Sequence, residues 1–594
     1  MKTKRFSLLR SYVLMAVCAA LFANSLSSCY KEAPANEEPL SGKWNVCIPA
    51  ALDQNPDTRA VVYQDGKLTA EFRQKDNIYV IKNGAVDSNP LHPDADGPKA
   101  NLVGYLENSY SAGDKLTLLY NTKNDGTFSF KTQTGGQVEN GELNKFDYAV
   151  ATVTVTSASD GDITTTPALF RSLQSMYKFT FVDEAGDPVK VTKLLVTTKS
   201  GDLITATNVF GTTVNKGSVT VDIAYEVNGI ADGVVWVALS KAGSDADTFI
   251  FDAIDNDNNL YMGTLDVAKG IIQNGKFYTA TITLTKQETD PLTLEAIEAG
   301  TITIKNPLGL VISCLKNMDT RVTSLEGDKG DIEIAVTKGD VVRFYGDNPT
   351  YVSSELKNTH IDCSSDCYIY GNIMSLIDSN GYDTATTLTD KNTFLKLFEH
   401  NEHIKNKASK PLTLPATTLT EACYSSMFWG CKGLTTAPEL PSKSLAKKCY
   451  SDMFGNCTGL TTAPQLPATT LAEGCYSSMF SWCTSLGKAP ELPAETLAKF
   501  CYNSMFVGCE SLTTTPKLPA TTLTEGCYFG MFAWCTSLNS VTCLATDISA
   551  DNCTTDWLDE VASNGTFCKA ASMSEDDWRA TGIPSGWTVK NDGE

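Results

Sequence analysis

Cysteines recur at a fixed interval in the C-terminal third of the chain. The step from Cys423 to Cys449 repeats unchanged to Cys475, Cys501 and Cys527, and Cys431, Cys457, Cys483, Cys509 and Cys535 follow at the same step. The unit reads roughly L-P-A-T-T-L-x-x-x-C-Y-x-x-M-F-x-x-C-x-x-L. This period is the strongest constraint on the fold. One unit is too short to bury its own apolar face, so neighbours must stack into a solenoid. Met427 and its copies Met453, Met479, Met505 and Met531 precede phenylalanines, and Leu434, Leu460, Leu486, Leu512 and Leu538 follow the second cysteine. Cysteine, Met-Phe and cysteine at i, i+4/i+5 and i+8 predict one face of a short helix or helical turn. The Pro/Thr-rich stretch predicts an extended strand or turn, kept short because proline donates no ladder hydrogen bond.

The period continues in degraded form at both ends. Phe398, Asn401 and Ile404 stand in the places of Phe428, Cys431 and Leu434. At the other end Cys553 lies one full step after Cys527, with Trp557 and Leu558 where Met-Phe would be. Five full repeats and two degenerate ones result, and atypical terminal units are what a solenoid needs to cover its open ends. The M-F-x-x-C-x-x-L run at 427–434 and its four copies resemble the BspA-type leucine-rich repeats of surface proteins from Bacteroides-like bacteria. The resemblance covers residues 379–540 and implies a solenoid of α+β units. Many members carry isoleucine at the first cysteine position, which implies that Cys423 and its copies are core residues.

A chain of 594 residues is too long for one domain. Its 48 Lys and Arg against 69 Asp and Glu leave a formal charge of −21. An acidic chain of this kind has no electrostatic footprint for nucleic acid and no charge attraction to an anionic membrane. Short apolar alternations between Gly, Asn and Asp turns favour β-rich domains.

The segment 1–28 reads as a leader, with Lys2, Lys4, Arg5 and Arg10 ahead of an apolar run from Tyr12 to Leu26. Leu26-Ser27-Ser28-Cys29 resembles the lipobox of bacterial lipoproteins. That resemblance implies cleavage before Cys29, lipidation of Cys29 and a surface-exposed outer-membrane location. Residues 29–40 read as a tether. Several acyl chains would anchor stably, where one alone binds only marginally.

Residues 41–170 and 171–287 predict two β-sandwiches, from alternation at Leu116–Tyr120, Ala149–Val155, Phe179–Val182, Val234–Leu239 and Phe249–Phe251. Gly113-Asp114-Lys115-Leu116, Phe146-Asp147-Tyr148-Ala149 and Ser175-Met176-Tyr177-Lys178-Phe179 resemble the fimbrillin family of pilus-type proteins. In that family a cut at a basic site frees a strand-accepting groove; Arg59 is the early candidate here, and a plain turn residue is the favoured reading. A linker at Gln287–Leu292 leads into a third β-domain at 293–378. Residues 541–594 read as a degenerate repeat and a compact cap.

The fold class expected is thus multidomain: β-sandwiches followed by a leucine-rich-repeat solenoid. Candidate chemistry is sparse. His400 and His403 could share one metal on a helix, but the third ligand and glutamate of zinc hydrolases are missing, so a solvated pair is the better reading and no metal site is assigned. Asp255-Asn256-Asp257-Asn258-Asn259 begins like a calcium loop, with Asp266 twelfth. Leu260 replaces the glycine the sharp turn requires, and a hairpin turn explains the run. Asp383-Thr384-Ala385 fits a short glycosylation pattern. No G-x-S-x-G and no phosphate-binding glycine loop occurs. No catalytic residue and no cofactor is assigned.

Nineteen cysteines, less Cys18 and Cys29, leave seventeen, an odd number. If the C-x7-C segment is helical, its cysteines lie about 12 Å apart, beyond the ~7 Å that a disulfide spans. Stacked buried thiols are favoured, although an extracellular setting permits disulfides. Cys363 and Cys367 form a separate disulfide candidate.

The remaining functional signal is aromatic. Tyr424, Tyr450, Tyr476, Tyr502 and Tyr528 form one column, and Trp429, Trp482 and Trp534 lie one or two residues past the phenylalanine. Exposed Trp and Tyr are natural anchors for protein or sugar; a packed ladder is the favoured reading of the tyrosine column and an equal one for the tryptophans. The first functional hypothesis is a surface protein acting in adhesion or protein–protein interaction through the solenoid, with a host or bacterial surface protein as partner. The alternative is a glycan-binding surface lipoprotein of a nutrient-capture system. An enzyme is the least supported reading, because no motif clusters acid and base groups.

Overall fold

The computed structural model describes residues 43–593, apart from 53–61, 65–66, 70, 124–126, 135–146, 209–213, 223–232, 242–244, 256, 258, 270–275, 325–326 and 355–356. Cys29 and Arg59 lie outside the described residues. The chain divides into two compact units, 1–284 and 285–594.

The first unit holds two β cores. One is a sheet in the order Ala85–Val86, Ile78–Lys82, Lys115–Tyr120, Ala149–Ser159, Asp162–Thr165, Trp44–Leu52, Lys99–Leu106 and His92–Pro93. Ala168–Ser172 pairs with both Trp44–Leu52 and Ala149–Ser159, which curls the sheet back on itself. Strict alternation drives it: Ala149, Ala151, Val153 and Val155 point inward, and the residues between them do not. Phe72 meets Tyr120 and Phe170 edge-on, each at 5.7 Å. Buried Asp87 is satisfied by Glu107 N, Asn108 N and the Tyr110 hydroxyl.

The second core lies between two sheets. One runs Thr132–Thr134, Val219–Asp222, Val191–Thr198, Asp247–Asp255, Leu260–Val267, and the other Val234–Leu239, Ser175–Val182, Phe277–Thr283. Phe179, Phe181, Phe249 and Phe251 fill the space between them. The boundary expected at 170/171 is corrected here. Thr127–Ser129 pairs with Ile204–Asn208, Thr132–Thr134 pairs with Val219–Asp222, and Phe128, Phe130 and Tyr148 belong to the second core. Local alternation says that a segment is a strand, not which sheet it joins.

The second unit opens with a third sandwich. One sheet runs Thr320–Thr323, Ile312–Lys316, Val341–Gly346, Thr293–Ala296, Cys367–Asn372, Ile404–Asn406, and it faces Ile332–Val336, Gly300–Lys305, His360–Cys363. Cys367–Asn372 is the pivot. It pairs antiparallel with Thr293–Ala296 on one side and parallel with Ile404–Asn406 and Leu412–Thr413 on the other. The sandwich thereby covers the first end of the repeats, and Tyr351 stacks on Phe394 across the junction. The stretch expected to be a linker is part of this unit. Glu288 N and Thr289 N donate to Asp383, Lys410 pairs with Asp290, and Leu292 is fully buried.

The repeats stack as rungs, but without the helix that the spacing predicts. The described residues contain one α-helix, Glu575–Arg579, in the C-terminal cap. In the C-x7-C segment the backbone alternates. Residues 422, 424, 426, 428 and 430 donate to carbonyls of 447, 449, 451, 453 and 455 in the next rung, at 2.7–3.0 Å. Residues 423, 425, 427, 429 and 431 instead donate three residues back. Every fourth residue is left-handed, with φ of 53° at Ala422, 52° at Ser426 and 76° at Gly430. The segment is therefore a run of four-residue turns. Two side chains point in, then two out: Cys423, Tyr424, Met427, Phe428 and Cys431 are buried, while Ser425, Ser426 and Trp429 are only partly covered. A period of 4 and a period of 3.6 put the same residues at i, i+4 and i+8, so a segment this short cannot separate them. The α+β character expected of the units is corrected to turns and short strands.

Inside the stack, the phenylalanine rings lie parallel at 5.5–5.8 Å from Phe398 to Phe532. The far end is covered by the parallel strands Thr514–Leu518, Ser540–Cys543, Gly565–Lys569 and Trp587–Asn591, with Trp557, Trp578 and Trp587 buried. Ser574 caps the short helix by accepting from Asp577 N.

Candidate binding surface on the repeats

The tyrosine column faces inward, which corrects its assignment as a binding surface. Tyr424, Tyr450, Tyr476, Tyr502 and Tyr528 are at most 2% exposed. Their rings stack at 5.8–6.2 Å and end on Trp557. The physical reason is the turn geometry. In a chain of four-residue turns Tyr424 is the second of each inward pair, and because it stands four residues before Phe428 a helix would also have placed it on the apolar face.

The cysteines also serve packing. Both columns are buried, free thiols. Each second-column thiol donates to the phenylalanine carbonyl of the preceding rung: Cys457 Sγ to Phe428 O, Cys483 to Phe454 O and Cys509 to Phe480 O, all at 3.1 Å. Asn401, in the same place, donates its side-chain amide to Ile361 O. The column therefore needs a small buried donor, which explains why Cys and Asn interchange there. Burial pushes the Cys457 and Cys475 thiols up to about 12, so neither supplies a thiolate near neutral pH. Cys363 and Cys367 stand in contact as thiols, not as the disulfide considered above. With no reductant present, alkylation should spare the repeat cysteines in the native chain and label them after denaturation. A Cys475–Cys483 bridge found by mass spectrometry would contradict this packing.

The histidine pair is split by its partners. His400 packs edge-on against Trp429 at 4.5 Å, and His403 Nδ1 meets Asp366 Oδ1 at 3.2 Å. The Asp255 run is a hairpin turn: its carboxylate accepts from Asp257 N, Asn259 N, Asn259 Nδ2 and the Tyr261 hydroxyl. Asp266 is occupied by Thr248 Oγ1 on the strands. In Asp383-Thr384-Ala385, Thr384 is exposed while the Asp383 carboxylate holds Glu288 N and Thr289 N.

The tryptophans differ from the tyrosines. Trp482 is 47% exposed and Trp534 is 50% exposed. Trp429 is half-buried beside His400 and lies over Gly455, where a Cβ would meet its ring at 2.5 Å. Trp482 lies over Gly508 in the same way, and Phe500, 36% exposed, over Gly526. Glycine one rung along gives each of these three outward rings its seat. Trp482 and Trp534 also carry left-handed backbones, with φ of 59° and 63°. Equivalent positions in the other full repeats hold Gly430, Asn456 and Gly508, residues that adopt this conformation cheaply, and the two degenerate end rungs hold His400 and Glu560 there. Placing tryptophan there costs conformational energy, and such strain clusters at functional sites.

Charge on this part of the stack is locally balanced. Lys391, Lys447 and Lys499 pair with Glu421, Glu473 and Glu525 at 3.2, 3.0 and 2.6 Å. Such exposed pairs add little stability, but each cancels its own charge. Phe500 escaped the sequence reading. Its signal was there in the glycine at the matching position of the next repeat, the same signal that marks Trp429 and Trp482.

No family model and no curated protein matches the chain. Solved structures with similarity include a candidate cell adhesion protein from Bacteroides ovatus, at 16% identity and a TM-score of 0.26, covering 41% of this chain and 95% of that one. A second candidate cell adhesion protein, from Bacteroides uniformis, matches at 12% identity and 0.25, covering 42% and 98%. A fimbrial assembly protein from Parabacteroides distasonis matches at 10% identity and 0.24, covering 40% and 91%.

Proposed function

We propose that the chain is a lipid-anchored surface protein whose repeat stack, a BspA-type leucine-rich-repeat solenoid, attaches to a partner on another surface. Cys29 carries the anchor in the outer membrane, and the fimbrillin-like N-terminal half acts as a spacer. The observation that carries this reading is the pair Trp482 and Trp534. Two large rings stay about half in solvent on left-handed backbone, where the other full repeats use the cheaper glycine or asparagine. Packing alone does not call for them, and exposed tryptophan is among the residues most enriched at binding hot spots.

Two arms test it. Beads coated with residues 285–594 should attach to target cells, and beads coated with residues 43–284 should not. Equal attachment by the two units, or attachment by 43–284 alone, would move the binding site off the repeats. Cys29→Ser should release the chain from the membrane fraction; retention there would remove the anchor from the reading.

A further inference from the structure

The outward face of the turn segment repeats itself in register. Ser425, Ser477 and Asn503 occupy one row along the stack, each partly exposed, and Ser477 Oγ reaches Asn503 Oδ1 at 3.4 Å. Ser451, in the same row, is folded down onto Asp452 Oδ2 at 2.7 Å. At the edge of this face Trp482 and Trp534 stand two rungs apart, with Gly508 between them. Backbone rungs spaced about 4.7–4.9 Å and inner rings spaced 5.8 Å put the two tryptophans roughly 10–12 Å apart. The surface therefore offers a hydroxyl or amide at most rungs and an aromatic ring at two of them, two rungs apart.

We infer that this face binds a neutral, extended polysaccharide laid along the stack, with sugar rings packed on Trp482 and Trp534 and hydroxyls bonded to the Ser/Asn row. The inference rests on the attachment reading above and names its ligand class. Three features select this occupant. A polymer with a short translational repeat can use matching donors along the stack, whereas a folded protein surface has no such period. The two-rung step matches a disaccharide unit of an extended chain, so two sugars one disaccharide apart meet the two tryptophans. Apolar sugar faces suit the rings, and the seat on Gly508 holds Trp482 in place at little entropic cost. Neutrality follows from charge: Lys447 and Lys499 are already paired with Glu473 and Glu525 and Lys448 interacts with Asp452, so these cations do not wait for a carboxylate or sulfate.

The test is native affinity electrophoresis of the full chain in gels holding hydroxyethylcellulose, galactomannan or arabinoxylan, with chondroitin sulfate as the charged comparison. At least one neutral polysaccharide should retard the chain. The apparent affinity should fall at least about tenfold in the Trp482→Gly/Trp534→Gly double variant and in the matching double Asn variant, with thermal unfolding followed in both. Retardation by none of the three, retardation unchanged in both variants, or a preference for chondroitin sulfate overturns the inference. Trp-dependent attachment of 285–594 to cells, with no retardation by any neutral polysaccharide, overturns the glycan and leaves the attachment reading standing.

Discussion

Phe480→Ala is expected to destabilise the second unit by about 3–5 kcal/mol. Phe480 is fully buried and lies between Phe454 and Phe506 at 5.8 and 5.7 Å. Its neighbours cannot collapse into the space, because their own backbones are fixed by rung-to-rung bonds, Phe454 N to Met479 O and Phe480 N to Met505 O among them. The cavity term therefore stays near its maximum. The site is also the middle of the stack, where each rung contacts only its neighbours, so weakening one interface uncouples the two halves. Urea unfolding of residues 285–594 should show the loss, with Ser477→Ala on the outer face within about 0.5 kcal/mol of the parent. A loss below about 1 kcal/mol for Phe480→Ala would mean that the phenylalanine column does not carry the core.

The columns that build this core were legible in the sequence, and the conformation that carries them was not. Met427, Phe428, Cys431 and Leu434 are buried, as their spacing implies. The helix is replaced by turns because the decisive information is a left-handed residue every fourth position. Glycine marks only some of these positions; Ala422, Ser426 and Lys448 adopt the same conformation without announcing it. Strand pairing was lost for a similar reason. Thr127–Ser129 and Thr132–Thr134 join Ile204–Asn208 and Val219–Asp222, far along the chain, and residues 288–291 bond to Asp383, Lys410 and Asn372. Such long-range choices leave no mark in local alternation. The tryptophans were legible because they vary from rung to rung, which a packed column does not tolerate.

The second large effect separates binding from folding. Replacing Trp482 and Trp534 by glycine removes two bulky residues from left-handed backbone, which relieves about 1–2 kcal/mol at each position. It also gives up the half of each ring that packs on the stack. These terms oppose each other, so stability should change little, while the outward aromatic surface disappears. Tryptophan hot spots typically contribute at least about 2 kcal/mol to binding, so losing two should weaken attachment tenfold or more.

The most direct measurement takes the Trp482→Gly/Trp534→Gly variant of residues 285–594 through thermal unfolding and bead attachment side by side with Phe480→Ala. The expected result is a midpoint within about 2 °C of the parent, attachment reduced at least about tenfold, and a lowered midpoint for Phe480→Ala alone. Attachment unchanged in the double glycine variant, or a midpoint lowered as far as that of Phe480→Ala, would contradict the division between an inner aromatic core and an outer aromatic binding face.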